Sequence, residues 1–262
     1  MIKNKFIIKI GGTLLDNKDV LSNIFQELVH YCSDPSFSII IVHGGGCLVD
    51  NLIKKLKFPI EKKNGIRITP KNQINLIVGA LSGTANKILL ASAKKNNING
   101  IGLCLSDGNT VKIKRTNNSL GYVGNASPYS PNFLNMLLKN DYTPIISSIG
   151  INYKGELINV NADEAATAIA LTLNTNLIFL SDAESVLDAK NKPICQLTLD
   201  QANDLINRKI IKNGMVVKVN AAFHAANLLK NKGLIVGIAG WRYIKNLSIF
   251  SDKKFIGTKI LV

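Results

Sequence analysis

Aromatic residues are scarce, at 6% of 262 positions, so any core this chain builds must be mainly aliphatic. No run approaches the roughly 20 consecutive apolar residues that a membrane-spanning helix needs. The apolar start, Phe6-Ile7-Ile8-Lys9-Ile10, is too short for a secretory signal core and has no small-residue cleavage site behind it. These absences predict a cytoplasmic protein with no membrane partner. Cys32, Cys47, Cys104 and Cys195 form no C-x-x-C pair and read as reduced core thiols. His30, His43 and His224 lack any ligand spacing, so no metal site is expected. Neither the phosphate-loop pattern G-x-x-x-x-G-K-[ST] nor the dinucleotide pattern G-x-G-x-x-G occurs. Nucleotide chemistry, if present, must therefore use another scaffold.

Acidic residues are also few. Seventeen Asp and Glu face 32 Lys and Arg, giving a formal net charge of +15. A basic balance can mark a nucleic-acid binder. Here the lysines are spread along the whole chain in nothing longer than pairs such as Lys62-Lys63 and Lys94-Lys95. That dispersion, with no recognised nucleic-acid module, argues against a nucleic-acid partner.

What is present is an alternation of strand-like and helix-like runs, which predicts an α/β fold with a mostly parallel sheet. Phe6–Ile10 reads as the first strand, and Val20, Leu21, Ile24, Phe25, Leu28 and Val29 recur at helical spacing after it. A second strand, Phe37–Val42, meets the turn Gly44-Gly45-Gly46 and then a helix to about Leu56. Asn64-Gly65 suits the positive φ angles of a tight hairpin turn. Thr69-Pro70 and Ser130-Pro131 both read as a helix cap followed by proline at the first helical position. Between them the expected order is a helix buried through Ile74, Ile77, Val78 and Leu81, a strand at Ile101–Leu105, and a turn-rich stretch to about Gly124. A strand at Tyr142–Ser147 and an alanine-rich helix opened by Asn161-Ala162-Asp163 follow. Asn174-Thr175-Asn176 is the expected lobe boundary, dividing residues 1–174 from residues 175–262. Beyond it come a strand at Leu177–Leu180, helices from about Leu199 and Met215, and short terminal strands.

Two glycine turns carry the chemical signal. Lys9-Ile10-Gly11-Gly12 places a lysine near the carboxyl end of a strand, where ligands bind in open α/β sheets. Val42-His43-Gly44-Gly45-Gly46 joins a strand to a helix, so its amides and the helix's positive end suit an anion. Glycines allow backbone N–H groups to approach phosphate oxygens with no Cβ in the way. Read singly, each residue has a plain structural alternative. Arg67 could be a surface hairpin arginine, Asp163 a helix cap, and Lys218 a solvated helical lysine.

Together these segments resemble the amino-acid kinase family. Lys63-Asn64-Gly65-Ile66-Arg67-Ile68-Thr69, Gly79-Ala80-Leu81-Ser82-Gly83-Thr84-Ala85-Asn86-Lys87 and Asn159–Ala166 sharpen the resemblance to the acetylglutamate kinases. It extends from Lys9 to Ile260 and looks closest to the short, arginine-insensitive, homodimeric type, whose relatives inhibited by arginine carry an additional amino-terminal helix. The resemblance implies a three-layer αβα sandwich with two lobes, the first binding N-acetyl-L-glutamate and forming the dimer, the second binding ATP. It implies phosphorylation of the acceptor's γ-carboxylate, with Mg²⁺ carried on the nucleotide phosphates. Residue by residue, it implies Lys9 and Lys218 as catalytic lysines and Asp163 as the carboxylate that orients them. Gly45, Gly46, Arg67 and Asn159 would hold the acceptor, and Gly11, Gly12 and Gly45 the transferring phosphate. Asp182, Ala183, Glu184, Ser185, Val186 and Leu187, with Ile210, Ile211 and Lys212, would bind nucleotide.

The chain departs from that pattern at Ser185, where relatives commonly carry glycine, and at Asn213, where they often carry Asp. If the turn at Ser185 needs a positive φ, the serine is strained and nucleotide binding weakened. Glu184 adds negative charge beside the expected phosphates. Three other readings stay open: a kinase of the same family acting on glutamate, aspartate, carbamate or a nucleoside monophosphate; a binding protein that has lost turnover; and a nucleic-acid binder.

Overall fold

The computed structural model describes residues 4–63, 66–116, 118–244 and 255–262. Strand β1 (Asn4–Ile10) leads through the short α1 (Gly12–Leu15) to α2 (Lys18–Cys32), and β2 (Phe37–His43) leads to α3 (Gly46–Lys55). A small hairpin, β3 (Lys62–Lys63) and β4 (Ile66–Arg67), precedes a long helix. That helix comprises α4 (Ile74–Val78), a π-helical stretch (Gly79–Ala85) and α5 (Asn86–Lys95). There follow β5 (Gly100–Cys104), β6 (Val111–Arg115), β7 (Val123–Pro128), α6 (Asn132–Lys139), β8 (Thr143–Ser147), β9 (Ile149–Ile151) and β10 (Leu157–Val160). The remainder holds α7 (Ala162–Leu173), β11 (Asn176–Ser181), β12 (Gln196–Thr198), α8 (Leu199–Asn207), α9 (Asn213–Leu229), β13 (Val236–Gly240) and β14 (Thr258–Leu261).

An eight-stranded sheet runs in the order β12-β14-β13-β11-β1-β2-β8-β5. Among the described residues, only β13 and β14 pair antiparallel in it. Because side chains alternate across a strand, each central strand feeds two cores. Ile7, Ile40, Val42, Leu177 and Phe179 pack with buried residues of α6 to α9 on one face. Phe6, Ile8, Ile10, Ile39, Ile41, Ile178 and Leu180 pack with α1, α2 and α5 on the other. This is the three-layer sandwich, and burial on both faces explains why the strands read as unbroken apolar runs. Strand β11 pairs with β1, so the sheet is continuous across residues 174 and 175. Asn174 ends α7 in a left-handed conformation (φ 51°), a role asparagine tolerates.

A second sheet, β6-β7-β10-β9, stands apart from the first. Its β6 and the start of β7 fall in the stretch to Gly124 that the sequence suggests is merely turn-rich. The alternation of Val111 and Ile113 with Lys112 and Lys114 is a half-buried strand signal, passed over in favour of continuous apolar runs. Thr69-Pro70 also differs from expectation. The helix begins only at Ile74, because Thr69 is held by Leu120, Tyr122 and a bridge to Gly121. Near Ser130-Pro131 the helix starts at Asn132, whose N–H donates to Ser130 Oγ at 3.4 Å. The hairpin forms as expected on either side of Asn64-Gly65, which lie outside the described residues. The four cysteines are free, but they are not core thiols: Cys32, Cys47 and Cys104 are half-buried and Cys195 is exposed.

Among the described residues, the helix Ile74–Lys95 is long and apolar enough to cross a membrane. Its stripe of Ile77, Ala80, Leu81, Ala85, Leu89 and Ala93 is buried in the core.

Candidate active site

The carboxyl ends of β1 and β2 and the amino ends of α3 and α7 converge on one cavity of about 230 Å³. Its lining includes Lys9, Gly12, Gly45, Gly46, Arg67, Asn159 and Asp163, so the fold brings together seven residues singled out in the sequence. The two glycine turns touch. A Cβ built on Gly12 would lie 2.9 Å from the Gly46 nitrogen, so that position has no room for a side chain. At the start of α3 no side chain caps the helix, which leaves its first amides available to an anion.

Asp163 is not the helix cap. Asn161 is, its side-chain oxygen accepting from the backbone N–H groups of Asp163 (2.8 Å) and Glu164 (3.3 Å). The Asp163 carboxylate is thereby free to meet the Lys9 ammonium at 2.6 Å, with both side chains largely buried. Lys218 approaches from α9 and donates to Ser181 Oγ at 2.7 Å. Burial, and then the positive charge of Lys9, pull its pKa below the usual lysine value, while Asp182 and Asp163 oppose the shift. Two lysines are thus held close enough to repel one another, with a carboxylate near both.

At the far end of the cavity, Arg67 is paired to Asp50 through Nη2, and Nη2 lies 3.4 Å from the Gly46 carbonyl oxygen. Among the described residues, Arg67 Nη1 is buried with no partner. Lys62 lines the cavity too and donates to Asp50 at 2.9 Å. Burial works against the charge on Asp50, but hydrogen bonds and charge from Arg67 and Lys62 outweigh it and lower its pKa. Asn159, in the middle of the small sheet, donates to Thr69 Oγ1 at 3.1 Å. Sequence reasoning missed Asp50 and Lys62. Asp50 falls one helical turn after Gly46, and the hairpin register sets Lys62 opposite Arg67. Both were therefore within reach of spacing arguments.

Residues 4–237 match the family model described as "Amino acid kinase family". The chain belongs to the amino acid kinase family. It is 50% identical over 255 residues to the acetylglutamate kinase of Proteus mirabilis, covering 97% of this chain and 98% of that protein. Identity is also 50% to the acetylglutamate kinase of Pectobacterium atrosepticum, over 98% of this chain and 99% of the other. Among solved structures, smu.665 from Streptococcus mutans superposes with a TM-score of 0.74 at 26% identity, covering 98% of both chains. N-acetylglutamate synthase from Neisseria gonorrhoeae, complexed with coenzyme A and N-acetyl-glutamate, shares the fold over 60% of its length (TM-score 0.79, 17% identity).

The other residues that the family resemblance selects lie outside the cavity lining. Gly11 precedes α1, and its carbonyl accepts from Leu14 N–H. Asp182 to Leu187 follow β11 and pack beside the carboxyl end of β13 and the amino end of β14. Gly240 N–H donates to the Glu184 carbonyl, and Val186 N–H donates to Thr258 Oγ1 at 2.9 Å. Ala183 N–H bonds Ser181 Oγ at 3.3 Å, and Leu187 bridges Pro193. Ile210 and Ile211 both donate backbone N–H groups to Leu205, and Lys212 caps α9. Val186 and Ile211 are buried in the same core, which ties these two segments together.

The strain foreseen at Ser185 is absent, since its φ is not positive. Its hydroxyl is buried without a partner among the described residues. Asn213 does sit in the left-handed region (φ 49°), where asparagine is among the best-tolerated residues after glycine. The Glu184 carboxylate accepts a 2.7 Å hydrogen bond from the Tyr243 hydroxyl.

Proposed function

We propose that this chain transfers the γ-phosphoryl group of ATP to the γ-carboxylate of N-acetyl-L-glutamate, giving N-acetyl-L-glutamyl 5-phosphate in the second step of arginine biosynthesis. The observation that carries the reading is 50% identity to acetylglutamate kinases along nearly the whole chain. The cavity supports it, because cations stand at both ends, Arg67 and Lys62 at one and Lys9 at the other. An acceptor with two carboxylates requires that arrangement.

The attacking carboxylate is already ionised at neutral pH, so no general base is needed. The obstacle is repulsion between that anion and the triphosphate. In our reading Arg67 Nη1 and Asn159 hold the acceptor, with guanidinium geometry suited to a carboxylate. Gly45 and Gly46 amides, Lys9 and Lys218 neutralise charge as the phosphoryl group moves, and Asp163 keeps Lys9 aimed at it. Gly12 and Gly11 leave room for phosphate oxygens beside the strand end. Mg²⁺, arriving on the nucleotide phosphates, supplies further charge neutralisation. Among the described residues no group of three or more His, Cys, Asp or Glu side chains offers a separate cation site.

We place the ATP adenosine moiety on the 175–262 lobe, against Asp182 to Leu187 and Ile210 to Lys212, and the acceptor on the 1–174 lobe. A homodimer through the first lobe is part of the same proposal. β5 is an edge strand of the large sheet, and Ile88 is exposed on the helix beside a shallow groove that includes Leu21 and Ala91. A cytoplasmic location suits a biosynthetic enzyme of this kind. The test is coupled ADP release with N-acetyl-L-glutamate beside glutamate, aspartate and carbamate. Selective turnover with the acetylated acceptor supports the proposal, and preference for another acceptor overturns it.

A further inference from the structure

His43 ends β2 and is fully buried, yet no step above uses it. Its Nδ1 lies 2.8 Å from the Gly44 carbonyl oxygen, and its Nε2 lies 3.0 Å from Asn86 Nδ2. Asn86 is itself buried and follows the π-helical stretch directly. The same Asn86 nitrogen donates to the Ile145 carbonyl on β8 at 2.8 Å.

These contacts fix a proton by elimination. The Ile145 carbonyl can only accept, so the Asn86 atom facing it must be the amide nitrogen. That nitrogen then donates to Nε2, which must carry a lone pair. The imidazole proton therefore resides on Nδ1 and is donated to the Gly44 carbonyl. In a trans peptide the N–H points opposite to the C=O. Holding the Gly44 carbonyl toward His43 thus turns the Gly45 N–H the other way, and the cavity is lined by Gly45. The helix presses on the same turn: Leu81 and Ala85 stand 2.8 and 3.5 Å from where a Gly45 Cβ would be. Ser82 and Ser147 are joined at 2.8 Å beside the cavity residue Ser148.

We propose that His43 and Asn86 are positioning residues: Asn86 selects the Nδ1–H form of His43, and His43 aims the Gly45 amide at the transferring phosphoryl group. The inference rests on the phosphotransfer reading above. Burial keeps His43 neutral, its pKa falling to about 4, so the device works throughout the neutral range. Charged groups on the flanking elements include Lys9 on β1, paired with Asp163 on α7, Glu164 on α7, and Lys87 on α5. Lys87 Nζ lies 3.3 Å from Asn86 Oδ1.

The test begins with nitrogen NMR of His43 in the unmodified protein. Protonated Nδ1 and a bare Nε2 are expected, and an Nε2–H form overturns the proposal whether or not turnover is seen. The second arm is Asn86→Asp, whose carboxylate draws the proton to Nε2 and turns a lone pair toward Gly44. We expect kcat at about pH 8 to fall at least about tenfold with acceptor KM nearly unchanged, a fraction of the loss seen when an oxyanion donor is removed. Activity should recover as pH falls and the imidazole gains its second proton on Nδ1. A loss of kcat equal at every pH, or no loss, counts against a positioning role. Absence of acetylglutamate phosphorylation by the unmodified enzyme refutes the phosphotransfer reading while leaving the NMR result to judge the tautomer.

Discussion

Lys9 and Asp163 show how a single residue's role depends on its neighbour's. Asn161 takes over the capping of α7, which releases the Asp163 carboxylate for the lysine. Removing a preorganised donor of this kind costs about 2.7–4 kcal/mol of transition-state stabilisation elsewhere. Lys9→Ala and Lys218→Ala should each lower kcat by roughly a hundred- to a thousandfold, and steady-state turnover of either variant near the unmodified value contradicts the assignment. Because the Lys218 pKa is depressed, kcat should decline on the alkaline side as that ammonium loses its proton, earlier than an ordinary lysine would allow. Arg67→Lys keeps the charge but loses the planar fork, so acceptor KM should rise about tenfold or more with kcat less affected. His43 should contribute to the loss of stability in acid. Unfolded, an imidazole protonates near 6.5; folded, His43 stays neutral to about 4. Between those values the unfolded chain binds more protons, so stability falls as pH drops through that window and levels off below it. The full effect is on the order of 3 kcal/mol at 1.36 kcal/mol per pH unit. Urea midpoints at pH 7 and 4.5 check it: the difference should shrink in His43→Gln, and an unchanged difference would assign the acid loss to other groups.

Among the elements, the two glycine turns constrain each other directly. Gly12→Ala puts a methyl group against the Gly46 backbone, which cannot yield as a side-chain tip would. We predict a drop in kcat well beyond any change in thermal stability; an alanine enzyme with normal kinetics would mean the turn relaxes freely. The strands and helices that build these turns were legible because apolar runs and helical stripes repeat cleanly at β1, α2 and β2. The small sheet was not, since its strand β6 alternates apolar and polar residues and offers no continuous apolar run like those of the large sheet. Thr69-Pro70 misled for another reason. Local cap chemistry lost to long-range bonds with Leu120 and Tyr122, which no nearby residue announces. The same limit hid Asn86, whose partners on β2 and β8 lie 43 and 59 residues away.

For the molecule as a whole, one mostly parallel sheet carries both halves, with β11 of the second half against β1 of the first. Lys9 and Lys218 therefore reach the same region from the two sides of the proposed lobe boundary. The glycine turns and the cavity cations Arg67 and Lys9 were readable from sequence, whereas the pairing of Arg67 with Asp50 needed the folded register of the hairpin. The open edge at β5 leads us to expect a dimer in solution, checked by light scattering against the chain mass of 28.5 kDa; a monomer at micromolar concentration would contradict that part of the account. The central claim is tested most directly by chemical capture of the product. Purified enzyme with MgATP, N-acetyl-L-glutamate and hydroxylamine should accumulate the γ-hydroxamate in step with ADP release. ADP formed without hydroxamate, or neither formed by folded protein, would contradict transfer to the γ-carboxylate.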